Sequence, residues 1–371
     1  MNKNKWTVGL AAAGVIGLAS VAQAQDANQV QTKLATTTLS GYVSTSYQWT
    51  PGEDSGNAYT QGDARANRFA LDVVSLTLAS PTSSGEWGAG YNVQLWAGTD
   101  ADDLGVAGGA DGDEGLAVKN AYLTLNLPVG KGIDLNVGRF DTILGMESVD
   151  YINNPHFSHS WGYAIEPTIH EGIKGSYQLT DNIGVTGLLA NTIEATSAGV
   201  AKNADRKTWG VALNLTAPDS LGFLAGSTLD IAYIDGDTDT GNTDTVGNVS
   251  NLYVGASVPV PVDKLSAGVA WDVREVESTQ AGGSDSVLGV YLEYEASEKL
   301  TLNVRGERVE DGNALNVGSS QGDAWDLTVT ANYDLWAGVI SRVEYRYTTL
   351  DNPTTNIEDS HSIFLNLIYG F

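Results

Sequence analysis

Charged side chains alternate with apolar ones in three consecutive segments near the end of the sequence. The six charged residues are Arg305, Glu307, Asp326, Arg342, Glu344 and Arg346. In an extended strand every second side chain points to the same face, so these six would share one face of neighbouring strands. There they could create a transverse electric field across an aqueous space. Alternatively they pair with one another and simply keep a wetted wall charged, and the sequence leaves both interpretations open.

A second candidate group lies in residues 142–169. This segment holds Glu147, Asp150, His156 and His159, together with apolar residues that a solvated loop has little reason to carry: Ile143, Leu144, Met146, Tyr151, Phe157 and Trp161. Folding inward would bury the apolar groups. We therefore expect a constriction loop with the acids and histidines facing the opening. A lid on the outer rim or a subunit contact is the alternative.

Other chemistries find little support. The two loop histidines have no convergent third ligand, so no metal is predicted. With no Cys, the chain has no thiolate site and no disulfide. Gly318 to Gly322 match the Gly-x-Ser-x-Gly pattern, but they lie between two predicted strands, whereas a nucleophile elbow needs a strand-to-helix turn. We predict no enzymatic activity and no cofactor. A formal net charge of −26 disfavours nucleic acid as a partner. The aspartate-rich run from Asp235 to Asp244 fails the EF-hand pattern, because Thr240 stands where the turn glycine belongs.

The N-terminus has the layout of an export signal. Lys3 and Lys5 precede an apolar stretch, and the small-residue pattern Ala22-Gln23-Ala24 follows it. We expect residues 1–24 to be a signal peptide cleaved near Ala24, residues 25–38 a short periplasmic segment, and residues 39–371 the folded unit. No later stretch has the ~20 apolar residues that a membrane helix needs.

The elements that must position the charged residues are strands. Period-2 alternation recurs along the chain, as in Trp325, Leu327 and Val329 against Asp326, Thr328 and Thr330. It predicts sixteen strands at 39–49, 66–79, 86–97, 117–127, 133–141, 170–179, 183–192, 207–217, 227–235, 249–258, 264–274, 286–296, 299–308, 324–334, 338–347 and 361–371. The phase slips between Phe69 and Leu78, which suggests a bulge. Arg139 falls on the apolar parity of its strand.

The connections alternate between long loops and short turns, and the turns contain breaker clusters such as Pro128-Val129-Gly130 and Thr180-Asp181-Asn182. Aromatic residues lie near strand ends on the apolar parity, where interfacial girdles belong. The predicted fold is an all-β transmembrane antiparallel β-barrel of about 16 strands, with short periplasmic turns and long acidic extracellular loops. A soluble β-sandwich explains one such hairpin but not sixteen alternating strands in succession.

Two sequence features resemble known families. The final strand carries Leu365, Leu367, Tyr369 and Phe371 at alternate positions, and it resembles the terminal signature that the outer-membrane barrel assembly machinery recognises. The second is the block from Val137 to Thr142 (Val-Gly-Arg-Phe-Asp-Thr), with the later residues Gly145, Glu147, Asp150, Asn153, Asn154, Ser158, Ser160, Pro167, His170 and Gly172. It resembles the OmpL-like β-barrel porin family over residues 137–177. That resemblance implies a porin-like channel and no particular solute.

A barrel of sixteen strands encloses an aqueous channel. We therefore expect a porin in the outer membrane of a Gram-negative-type bacterium, where it lets small hydrophilic solutes or ions diffuse passively. Acids outnumber bases among the residues with lumen parity, which favours a mild cation preference. Expected partners are outer-membrane lipid, lipopolysaccharide and the assembly machinery, and a homotrimer is left open. The alternative is a closed structural or adhesive barrel without transport activity.

Overall fold

The computed structural model describes residues 37–51, 67–82, 87–104, 115–195, 207–237, 247–277, 283–310, 323–350 and 359–371. The predicted signal peptide, nearly all of the 25–38 segment and much of the acidic loops lie outside the described residues.

Sixteen antiparallel strands form the body of the molecule. They are β1 Thr38–Trp49, β2 Arg68–Ser80, β3 Gly88–Ala97, β4 Leu116–Leu127, β5 Ile133–Asp141, β6 Ile169–Thr180, β7 Ile183–Ala190, β8 Thr208–Thr216, β9 Thr228–Asp237, β10 Asn248–Pro259, β11 Leu265–Glu277, β12 Gly283–Glu295, β13 Leu300–Glu310, β14 Ala324–Trp336, β15 Val339–Leu350 and β16 Asp359–Gly370. Every predicted strand is present, with its ends within three residues of the prediction. The predicted all-β fold of sixteen antiparallel strands is confirmed.

Each strand pairs with its two sequence neighbours, and β1 pairs with β16, so that the sheet closes on itself. The closing register joins Tyr42 to Gly370 and Trp49 to Ile363. At the seam Gly41 and Phe371 exchange both backbone hydrogen bonds, at 3.0 and 2.9 Å. Closure satisfies the backbone groups that an open sheet edge would leave unpaired. We refer to the side with short connections as the turn end and to the other as the loop end.

The two faces of the barrel differ as the alternation predicts. On β14, Leu327 and Val329 point outward and are 43% and 40% exposed, whereas Thr328 and Thr330 point inward and are fully buried. Trp325 and Tyr333, near opposite ends of the same strand, are exposed on the outer face. An apolar outer band flanked by aromatic side chains is the surface that a bilayer requires.

The predicted phase slip in β2 is a β-bulge. The register between β1 and β2 shifts opposite Ser44 and Thr45, and Asp72 is the extra residue. Its side chain points into the lumen and accepts hydrogen bonds from Ser44 Oγ at 3.0 Å and Ser46 Oγ at 2.6 Å. Asp72 and Val73 are both fully buried, so the bulge adds an inward carboxylate with its own donors beside an apolar inward side chain.

Arg139, which lies on the apolar parity of β5, is neutralised by its neighbours. Its guanidinium pairs with Glu171 at 3.0 Å and donates to the Lys119 carbonyl at 3.2 Å. An outward cation at the loop end therefore has both a counter-charge and a backbone acceptor.

In the part of the chain that the structure describes, two short helices lie outside the sheet, α1 Thr99–Asp103 and α2 Trp161–Ile165, and 3-10 turns cover Tyr151–Asn153 and Asp219–Leu224. Among the described residues no helix is long and apolar enough to cross a membrane. Helix α2 belongs to the connection between β5 and β6, residues 142–168, which we call the inward loop. Ser160 caps this helix, because its side chain accepts a hydrogen bond from the Tyr163 amide at 3.0 Å.

Candidate functional site

The inward loop packs against the inner faces of strands around most of the barrel. Ile143 and Leu144 join a cluster with inward residues of β7 to β12. Val149 and Phe157 join a second cluster with residues of β1 to β4 and β16. Trp161 and Ile165 pack on Val287, Val309 and Ala324. Because each buried apolar side chain contributes about 1.5 to 3 kcal/mol, burial is a large term holding this loop inside.

Arg305 is the central polar anchor of the loop. Its guanidinium pairs with Glu147 at 2.8 Å and with Glu307 at 2.9 Å. It also donates to the carbonyl of Ser158 at 2.9 Å and of His159 at 3.1 Å. The Arg305 side chain is fully buried. A buried cation is stable only when charge partners and acceptors surround it, and here the loop supplies most of them.

Backbone amides of the inward loop donate hydrogen bonds to carboxylates on the inner faces of β13 and β15. Glu344 accepts from the amides of Phe157 at 2.7 Å and Ser158 at 3.0 Å, and Glu307 accepts from the Trp161 amide at 2.7 Å. These are charge-assisted bonds to donors that would otherwise be buried without partners.

Two further arginines complete this wall. Arg342 donates to the carbonyls of Ile152 and Asn154, at 3.1 and 3.0 Å. Arg346 pairs with Asp326 at 2.7 Å and donates to the His159 carbonyl at 2.7 Å. The six charged residues singled out in the sequence therefore lie together on the inner wall, but each is at most 4% exposed, because the inward loop covers them. Their charges are used in anchoring the loop.

The other candidate residues of the loop also make defined contacts. Asp150 accepts from Lys119 at 2.6 Å, and from Tyr42 and Gln94 at 2.9 Å each, which fastens the loop to β1, β3 and β4. Glu147 accepts from the Ser160 amide at 2.8 Å besides its pairing with Arg305. Burial opposes ionisation of Glu147, but Arg305 outweighs it, and the pKa of Glu147 falls to about 2.

The two histidines have separate partners. His156 Nδ1 lies 2.7 Å from Thr330 Oγ1 in a fully buried position. Burial, reinforced by Arg305, holds the pKa of His156 well below its usual value, so the ring is neutral. His159 stacks on Tyr163 with ring centroids 3.8 Å apart and contacts Glu147 at 3.3 Å. The two rings are therefore not arranged as a ligand pair.

A pocket, which we call the opening, lies between the inward loop and the inner faces of β6, β7 and β8. The loop side contributes the carboxyl groups of Glu147 and Glu166, and Asp141 lies at the end of β5. The wall side contributes Lys174 and neutral polar groups of Thr186 and Asn214. The Asp141 side chain is 38% exposed, whereas Lys174 is only 4% exposed. The accessible charge at the opening is therefore mainly negative.

Lys174 is held close to the wall. Its ammonium donates to the Asp141 carbonyl at 2.9 Å and lies 4.9 Å from the centre of the Phe140 ring. Lys174 lies on the lumen parity of β6, but parity alone does not place it at a constriction. In the sequence Asp141 stands out only as part of the block that resembles the porin family, and Glu166 does not stand out, because one ends a strand and the other follows a short helix. Strand parity therefore says nothing of where they point.

Lys119 was missed for a different reason. The register between β3 and β4 shifts beside Asn120, which turns both Lys119 and Asn120 inward. Lys119 then bridges Asp141 at 2.9 Å and Asp150 at 2.6 Å. The available signal was the change of phase between Val118 and Leu123, both of which face outward.

Comparison with known proteins identifies the family of this chain. A family model described as "Putative beta-barrel porin-2, OmpL-like" matches residues 36–368. The chain belongs to this family of outer-membrane β-barrel porins. No curated protein sequence matches this porin significantly. The resemblance found in the sequence is thus confirmed, and it extends well beyond residues 137–177.

Solved structures show the same fold at low sequence identity. The outer membrane channel DcaP of Acinetobacter baumannii has a TM-score of 0.63 at 13% identity, covering 90% of this chain and 97% of that one. An anion-selective porin from Comamonas acidovorans has a TM-score of 0.64 at 10% identity, covering 90% and 99%. The trimer form of OmpT, an outer membrane protein of Vibrio cholerae, has a TM-score of 0.59 at 12% identity, covering 91% and 99%.

Proposed function

We propose that this porin passes small hydrophilic solutes and ions by passive diffusion through the opening beside the inward loop, with a mild preference for cations. The observation that carries the proposal is the opening between the loop and β6 to β8, which has charged groups in its lining, inside a closed sixteen-strand barrel. The lining has the carboxyl groups of Asp141, Glu147 and Glu166 and the ammonium of Lys174. Asp141 supplies accessible negative charge, since its side chain is 38% exposed, whereas Glu147 is paired with Arg305 and Lys174 is buried. Glu166 adds to this charge only when it is ionised. Rings of acidic side chains favour cations in pores.

Low identity to the anion-selective neighbour means that its selectivity does not transfer, since 10% identity supports the fold alone. Pore charge has to be judged from the residues of this chain. We further propose that the chain has no enzymatic activity and that residues 1–24 direct export and are cleaved near Ala24. We also propose contacts with lipopolysaccharide and the assembly machinery. A homotrimer is proposed by analogy with the trimer form of the Vibrio cholerae protein.

Single-channel conductance of the refolded chain in a planar bilayer tests the proposal. We expect steady, ohmic steps in conductance. In a salt gradient, the sign of the reversal potential should show that cations pass more readily than anions. Lys174→Met should increase that selectivity, because it removes the ammonium from the opening. Lys131→Met removes an equal charge at the turn end, where Lys131 is half exposed and pairs with Asp181, and should change selectivity less.

A closed barrel is the second candidate function, and the anchoring of the loop on several walls favours it. In that case a correctly folded, heat-modifiable barrel would give no conductance steps. Equal conductance for cations and anions would instead support a channel but refute the proposed preference for cations.

A further inference from the structure

Two carboxyl groups meet where the inward loop touches β11. Glu166 follows α2 directly, and its carboxyl group hydrogen-bonds to that of Asp272 on β11. Asp272 is 4% exposed, whereas Glu166 is partly exposed and lines the opening. Two glycines of the loop let its backbone enclose the pair. A Cβ atom at Gly145 would collide with the Glu166 carboxyl group, and one at Gly162 would lie 2.5 Å from Asp272 Oδ2.

A hydrogen bond between two carboxyl groups requires a proton, because ionised carboxylates only accept. The charged group facing the pair from the loop is Glu147, which is also an acid. From the wall, Tyr253 on β10, Asp230 on β9 and Tyr291 on β12 surround the same region. Burial first, and then Asp272 and Glu147, raise the pKa of Glu166 well above its usual value.

The position of the pair links its protonation to the opening. Helix α2, which Glu166 follows directly, packs on β11 and β12, and Asn251 Nδ2 donates to the Ile165 carbonyl at 2.8 Å. Two other ionisable groups of the loop keep their protonation state near neutral pH, since the pKa of Glu147 is about 2 and His156 is neutral. The bond between Glu166 and Asp272 thus weakens at a pH where the ion pair between Glu147 and Arg305 persists.

We propose that Glu166 and Asp272 form a proton-dependent latch that holds the C-terminal end of the inward loop against β11. When the pair shares a proton, the latch is closed. When both groups ionise, two buried carboxylates repel each other, and the Glu166 side chain moves away from β11 into the opening. Its consequence for transport rests on the proposed function: conductance and cation selectivity should rise together as the pH increases.

The test follows the loop itself as well as the current. The chain has no Cys, so Ala164→Cys, at an exposed position of the otherwise largely buried α2, provides a unique site for a spin label. Label mobility and single-channel conductance are measured from about pH 5 to about pH 9, a range above the ordinary titration of a glutamate. We expect both to increase with the same midpoint. Glu166→Gln and Asp272→Asn, each of which keeps a hydrogen-bond donor in the pair, should abolish both transitions.

Glu194→Gln is the matched control. Glu194 is another buried acid at the same end of the loop, where it accepts from the amides of Thr168 and Ile169 at 2.8 and 3.1 Å, so this variant should keep the transition. A label whose mobility is constant across the pH range would overturn the latch, and so would an unchanged transition in Glu166→Gln. A pH-dependent current with an immobile label would overturn it as well. A moving label without any current would support the latch and refute the channel.

Discussion

Replacing Arg305 by methionine should release the inward loop without unfolding the barrel. The parent side chain makes two ion pairs and donates to two loop carbonyls, all in a fully buried position. Methionine fills much of the same volume but leaves Glu147 and Glu307 without their main counter-charge. Removing one partner of a buried ion pair costs about 3 to 5 kcal/mol. Little screening applies, because both carboxylate side chains are at most 2% exposed.

This free-energy cost weakens the attachment of the inward loop and not the sheet, because the backbone hydrogen bonds between β13 and its neighbours do not involve the Arg305 side chain. A loss of this size changes the ratio of released to held loop by roughly a hundredfold to a few thousandfold. Hydrogen exchange of the Phe157, Ser158 and Trp161 amides reports the release directly, and it should accelerate by a similar factor. Single-channel conductance should increase in the same variant.

Arg274→Met serves as the control for this experiment. Arg274 pairs with Asp285 at 3.2 Å on the neighbouring strand, so its loss should leave the loop amides protected. Unchanged protection of those three amides in Arg305→Met would refute the reasoning, because the wall charges would then not be what holds the loop.

Three further outcomes are expected. Glu344→Gln should weaken the two hydrogen bonds from the amides of Phe157 and Ser158, at a cost of about 1 to 3 kcal/mol. Faster hydrogen exchange confined to these two amides would show this loss. Asp72→Ala should lower the thermal unfolding temperature of the barrel, since two serine donors at the β2 bulge lose their acceptor; an unchanged temperature would contradict this. The folded pKa of Glu147 is about 2 against an ordinary 4.5, so its stabilisation is complete above pH 4.5 and is lost as the pH falls toward 2. Loop exchange should accelerate over that acidic range, and Glu147→Gln should remove this dependence.

The sequence determines the barrel because the relevant signal is local. Alternation such as Trp325 to Val329 specifies which side chains face lipid, and the period of two leaves no freedom in that choice once the strand is formed. Breaker residues at the turns fix where one strand ends and the next begins. Even the bulge in β2 is visible as a change of phase, because an extra residue inverts the parity of everything that follows it.

The candidate site depends on contacts between distant parts of the chain. Arg305 meets Glu147 and Asp272 meets Glu166 only after the barrel has closed and residues 142–168 have entered it. Parity predicts that Glu344 faces inward, but it cannot tell whether water or the amide of Phe157 will be its partner. Only the tertiary structure decides this, because strand register and the path of the loop bring together groups that the sequence separates by more than one hundred residues.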